Sequence, residues 1–171
     1  LLGEQVKVYM NDSTIDWAHI INQALAVEQK DSLHYNQVSG KEMMASFREG
    51  EMRQVDVNGN VLVVFYPVEE RDSSLILMNY SEGGFLRMML KDRRMERGSF
   101  IGKANGTAYP MNQIPADKYR LPSFVWLDYI RPLNKEDIFN WRGKKSDAVL
   151  KQSSRRPTVS PRDMHIERTK K

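Results

Sequence analysis

Cysteine is absent from the 171 residues. That absence excludes disulfide frameworks, thiol catalysis and thiolate metal sites, and leaves the compartment open, because cysteine-free chains occur everywhere. Long apolar runs are absent too. The densest stretch, Val61-Leu-Val-Val-Phe-Tyr66, falls far short of the ~20 residues that a membrane-spanning helix needs. Histidine is scarce: His19, His34 and His165 are scattered, with no metal-ligand spacing among them. His34 falls in a strand pattern and reads as a surface residue. No signal peptide opens the chain, and Leu1 reads as the start of a processed or trimmed piece.

Catalytic constellations are missing as well. Glu69-Glu70 with Asp72 lacks the alternation and glycine of a calcium loop and reads as a solvated acidic loop. Ser81-Glu-Gly-Gly84 has neither a nucleophile elbow nor a phosphate loop around it and reads as a turn. Asn11-Asp-Ser, Asn79-Tyr-Ser and Asn105-Gly-Thr are formal glycosylation acceptors of a kind that arises often by chance. The expectation is therefore a non-enzymatic protein without metal or cofactor.

What is present is strand-forming sequence and a divided charge. A hydrophobic content of 40% suits one domain with a real core. From Arg142 onward ten basic residues stand against three acidic ones, a balance of +7; the whole chain carries +4, which leaves −3 for residues 1–141. The body is mildly acidic and the basicity sits in a polar tail, residues 144–171, expected to be disordered. The tail has no aromatic residues among its lysines and arginines, so it lacks the stacking platform of a nucleic-acid binder; contact with anionic lipid suits its charge better.

Between Ser32 and Pro110 strands alternate with turns. Met43–Arg48 and Met52–Asn58 flank Glu49-Gly50-Glu51, and Val57 and Val61 flank Asn58-Gly59-Asn60, both patterns predicting chain reversals. Val6–Met10 alternates like a strand, Ile15–Val27 fits a strand or a short helix, and Phe85–Leu90 is assigned to a strand. An internal repeat recurs at an offset of 43 residues: Leu33, Asn36, Gly40, Arg48-Glu49, Met52, Gly59 and Tyr66-Pro67 return as Ile76, Asn79, Gly83, Lys91-Asp92, Met95, Gly102 and Tyr109-Pro110. Coinciding turn residues predict the same chain reversals twice, as in stacked layers. From Pro110 four prolines punctuate a wrapping segment. Phe124–Ile130 supplies aromatics within one strand length, and Asn134 reads as the N-cap of a short helix over Lys135–Trp141 that Gly143 stops. In Val61–Tyr66 and Phe85–Leu90 odd and even positions are alike apolar, which predicts a sandwich, a closed layer or a sheet whose inner face holds an apolar ligand. The ten methionines suit a deformable core or a lining for flexible chains.

The stretches Tyr35–Met43, Gly50–Val61 and Phe65-Tyr-Pro67, with Ala108–Pro115 and Phe124–Gly143, resemble the OstA-like family, the lipopolysaccharide-transport protein A superfamily, in the carboxy-terminal part of its long form. The resemblance spans residues 9–145. It implies an all-β fold: a V-shaped, two-sheet β-jellyroll of stacked strands over residues 1–143, with a short C-terminal helix and the tail after it. It implies a periplasmic location in a Gram-negative bacterium, lipopolysaccharide or lipid A as partner, and neighbouring domains joined by strand-edge pairing. Val55, Val57, Val63, Phe65, Leu77 and Met88 are then the expected lipid-binding residues, with Arg53 or Arg87 near the groove mouth for phosphates. The segment after Tyr109 lies outside a minimal jellyroll, which suggests instead a capping module that binds no ligand.

Overall fold

The computed structural model describes residues 1–69, 71, 74–92 and 94–139. Six strands follow one another in an antiparallel meander: β1 (Gln5–Asn11), β2 (Thr14–Gln29), β3 (Tyr35–Arg48), β4 (Glu51–Phe65), β5 (Leu77–Lys91) and β6 (Arg94–Pro110). The sheet is open, with β1 and β6 at its edges. The region that fitted strand or helix, Ile15–Val27, lies wholly within β2.

Reversals use short turns with positive φ. Glu49 (φ 55°) and Gly50 (φ 78°) join β3 to β4, as the sequence predicts. Asn58-Gly59-Asn60 is different. Gly59 (φ 79°) and Asn60 (φ 51°) have the backbone sense of a turn, yet they form a bulge inside β4 and the strand continues to Phe65. Ser81–Gly84, expected as a turn, likewise lies within β5 beside a bulge.

These bulges line up. The pairing register shifts between Ile21 and Ala24 in β2, Ser39 and Glu42 in β3, Asn58 and Val61 in β4, and Gly83 and Phe85 in β5, where β6 skips Gly102 and Lys103. A line of extra residues thus crosses the sheet from β2 to β6. Bulges bend strands and sharpen their twist, so the sheet creases along this line.

The crease organises the core. Two rows below it, Ala18–Ala45–Val55–Met88 and Ile20–Met43–Val57–Leu86–Phe100, share one face by register. Ala24 and Val61 at the crease join the same apolar cluster, and Ala26, Val38 and Val63 beyond it pack against it. We call this the inner face. At Gly40 an added Cβ would stand 2.6 Å from Val57 Cγ1, and at Gly83 2.6 Å from Phe100 Cδ1, so side chains close over glycine at equivalent points of the two repeats. The 43-residue repeat is two successive hairpins, β3–β4 and β5–β6, side by side in one sheet and not layers stacked on each other.

Beyond the crease the outer face carries a second cluster: Val64, Tyr66 and Met78 with Leu121, flanked by Tyr80, Tyr109 and Ile114. Leu121 belongs to a chain that returns after β6 through 3-10 turns at Met111–Gln113, Ala116–Lys118 and Asp128–Ile130. Phe124–Ile130 is therefore no strand. Its aromatics pack by ring contact: Tyr35 meets the rings of Phe124 and Trp126 edge-on at 5.3 and 5.1 Å. The short helix expected from Lys135 is a single 3-10 turn, Glu136–Phe139, and the tail expected to be disordered lies outside the described residues.

Gln37 holds this wrap in place. Its buried amide donates to the Tyr119 carbonyl (2.8 Å) and accepts from the Leu121 N–H (2.8 Å). Arg120, between them, donates to the Leu33 carbonyl and lies over the Tyr35 and Phe124 rings.

Two outcomes test this architecture. Gly59→Val, at φ 79° with Lys41 Cβ 2.8 Å from the new Cβ, is expected to destabilise by about 1–3 kcal/mol in urea unfolding; Gly59→Asn costs less, and Gly102→Val, in open space at φ 92°, pays the backbone strain alone. Gln37→Leu strands a buried carbonyl and N–H, and is expected to cost about 3 kcal/mol and to expose residues 111–139 to protease.

Candidate functional site

The six expected lipid-binding residues all lie on the inner face, by register and alternation, but in different environments. Val55 and Val57 are buried core. They belong to the packed cluster under β2 and β3, so contact with a ligand would require that core to open. Val63 and Met88 pack at its margin, partly buried. Phe65 and Leu77 are half-buried further along β4 and β5, opposite Asn79 and Pro110.

Exposure of the inner face increases toward both edges of the sheet: Val6 and Val8 of β1, opposite Ile20 and Ala18, are 48% and 51% exposed, and β6 is exposed as well. β6 is 17 residues long and exposed along nearly all of them, yet its inward positions Gly98, Phe100, Ala104, Gly106 and Ala108 are uncharged. Outward positions carry Arg97, Ser99, Asn105 and Thr107, but also the exposed Ile101, opposite Phe85, and Tyr109, opposite Met78. Only from Ala104 to Ala108 does the strand alternate between a small, uncharged inner face and a polar outer one. Among the described residues the strand's far edge has no partner strand, so its backbone groups face outward.

Neither arginine proposed for the groove mouth is free. Arg87 makes a two-pronged pair with Asp56 (2.8 and 2.9 Å), and by register both sit on the outer face, between Leu86 and Met88, which point inward. Arg53 pairs with Glu51 at 2.7 Å.

Two shallow depressions follow the crease. One, of about 500 Å³, lies between Gln23, Ser39, Lys41, Asn60 and the wrap at Pro122 and Ser123. The other, of about 430 Å³, is bordered by Leu62, Glu82, Lys103 and Asn105. None of the six expected residues lines either one.

A pair invisible in the sequence occupies the outer face below the crease. His19 stands opposite Lys7 and Met44, and Glu42 opposite Ile21, so the two are diagonal neighbours across β2 and β3. They are 2% and 3% exposed, with Nε2 and Oε2 3.8 Å apart. Neither ring nitrogen of His19 nor Oε2 of Glu42 has a hydrogen-bond partner among the described residues. Burial lowers the His19 pKa; the Glu42 charge opposes this and Lys7 adds to it. No periodicity marks such a pair, because His and Glu at strand positions read as wet. His34 is not in a strand: it closes a loop on Asp31, Nδ1 to Oδ2 2.7 Å, with its ring against Tyr66. The hydrogen bond from His34 draws the Asp31 carboxyl down to about 2. Burial pushes the Tyr66 hydroxyl up to about 12.

No protein-family model, curated protein or solved structure matches the chain. Among the described residues no group of three His, Asp or Glu side chains is placed to hold a metal ion.

The two titrating loci separate by pH. Burial lowers the His19 pKa in the fold, so the unfolded chain binds that proton more tightly; the stability this contributes is full above the ordinary histidine value of about 6.5 and falls as pH drops below it. Asp31 has the opposite sense, contributing above about 4 and losing its contribution as pH falls toward 2. Thermal unfolding between pH 5 and pH 7.5 is expected to show a lower midpoint at the acid end, and His19→Leu should flatten that slope. An unchanged slope would place the acid sensitivity elsewhere.

Proposed function

We propose that this chain is a non-enzymatic sheet module of the OstA-like type. It carries an acyl-chain lipid along the inner face of its creased sheet, and in the setting that the resemblance implies that lipid is lipopolysaccharide in a Gram-negative periplasm. The creased sheet would be this chain's form of the family's V-shaped jellyroll. The observation that carries the reading is the exposed, uncharged inner face of β6. An acyl chain laid across Val63, Phe65, Leu77, Met88 and Phe100 would gain roughly 0.8 kcal/mol per buried CH₂. A neighbouring domain paired to the free edge of β6 would extend both the ladder and the apolar floor. Val55 and Val57 then support the floor from beneath and do not touch the lipid.

A second reading, a structural cap that pairs edge to edge and holds no lipid, is favoured by the packing of Val55 and Val57 and by the wrap after Pro110. The wrap's aromatics pack against Tyr35 on the outer face, and β6 is exposed along nearly all of its length. That point favours the carrier.

A photoreactive residue separates the two. Placed at Met88, which faces inward, it is expected to cross-link added lipopolysaccharide; placed at the neighbouring outward and exposed Met89 it should not. No adduct at either position in a folded protein, together with concentration-dependent linear assembly in the ultracentrifuge, would replace the carrier with the cap.

A further inference from the structure

β1 is an edge strand with little to keep another strand away. Its seven residues, Gln-Val-Lys-Val-Tyr-Met-Asn, hold no proline and one charge, and Val6, Val8, Tyr9 and Met10 are each 40% to 59% exposed. β2 pairs along one side of it, and among the described residues no strand pairs along the other. The chain before β1 does not cover that side: Leu2 pairs with Leu25, and the Glu4 N–H donates to the Asn22 carbonyl, both along β2. Tyr9 is held in place, its ring flat against Trp17 at 3.5 Å.

Outward from its centre the strand is complementary to itself. Set antiparallel to a second β1 with Val8 opposite Val8, all seven residues meet a counterpart: Val6 meets Met10 on the inner face, Lys7 meets Tyr9 on the outer face, and Gln5 meets Asn11. Cross-strand neighbours stabilise a sheet when apolar meets apolar or a cation meets an aromatic ring, and like charges opposite each other weaken it. The next registers that keep inner face with inner face are poorer. One sets Lys7 against Lys7, the other sets Lys7 against Asn11, and each leaves two of the seven residues outside the ladder. Glu4 and Asp12, which follow at the two ends, lie outside the strand. The Glu4 carboxylate accepts from Asn22 and Gln23 of its own copy, and Asp12 sits in the β1–β2 turn at φ 48°.

We propose that β1 pairs with β1 of a second copy of this chain about a two-fold axis at Val8. The axis stands normal to the sheet, so two six-stranded sheets become one with both inner faces on the same side. The exposed Val6, Val8 and Met10 of the two copies then cover one another, and both β6 edges stay at the far ends. The contact closes at two copies, because the same edge is used on each. It does not rest on a lipid cargo, since none of the residues expected to bind lipid lies in β1.

The chain has no cysteine, so one introduced at the axis reports on it directly. Directly opposed residues of an antiparallel pair have Cβ atoms about 4.5–5.5 Å apart, whereas Val6 of one copy lies four residues, about 13 Å, along the strand from Val6 of the other. Under mild oxidation Val8→Cys is expected to give a disulfide-linked dimer, and Val6→Cys about a tenth as much or less. Light scattering of the full chain is expected to show twice the monomer mass at about 100 µM. Val8→Lys, at an exposed position, sets like charges across the axis and is expected to weaken association about ten-fold or more, with a circular dichroism spectrum matching the parent. A mass that stays monomeric, or equal cross-linking at positions 6 and 8, would overturn the proposal. Assemblies that grow past two copies would replace it with head-to-tail joining of β1 to β6.

Discussion

Everything in this fold depends on where five strands agree to be irregular. A flat meander of strands this long would have one face to bury and nothing to bury it against. The aligned bulges from Asn22-Gln23 to Gly102-Lys103 supply the missing partner, because a sheet creased along one line can bring its own residues from either side of that line into one cluster. The crease demands positive φ and close approach at fixed points, and the repeat meets both: Gly59 and Gly102 provide the first, Gly40 and Gly83 the second. The position of the apolar floor, buried under β2 to β4 and exposed at the β1 and β6 edges, follows from that line.

The outer face poses the opposite problem, and the chain solves it by returning. Gln37 lies at the centre of the returning contact because it is a side chain behaving as a backbone, offering one donor and one acceptor to a segment that cannot pair as a strand. Below the crease the buried His19–Glu42 contact joins β2 and β3, two neighbouring strands of the sheet.

Much of this was legible. The strand periods, the hairpin turn at Glu49-Gly50 and the equivalence of the two hairpins follow from turn residues and alternation alone. The misreadings have physical causes. Asn58-Gly59-Asn60 signals positive φ, and positive φ is equally a turn and a bulge; only the pairing partner decides, and it lies in β3, where Asn58 pairs with Glu42. Phe124–Ile130 looks like a strand because aromatics favour sheets, while the prolines around it leave it to pack by ring contact. Two of the six residues chosen for a ligand, Val55 and Val57, are core, since an apolar strand position carries no mark of whether its cover is protein or lipid. His19 and Glu42 could not have been found, because their burial depends on neighbours from other strands.

The Gln37 contact also sets an order of events. Every strand in the meander pairs with the strand next to it in the chain, so the sheet can zip up from local hairpins with short loops to close. The contact from Gln37 to Tyr119 and Leu121 spans 82 and 84 residues, and it needs β3 and β4 already in place beneath Leu121. The wrap therefore docks last in folding and is the first part to lift away. Its amides should exchange with solvent well before those of β3 and β4, a loose outer layer over a slow-exchanging sheet.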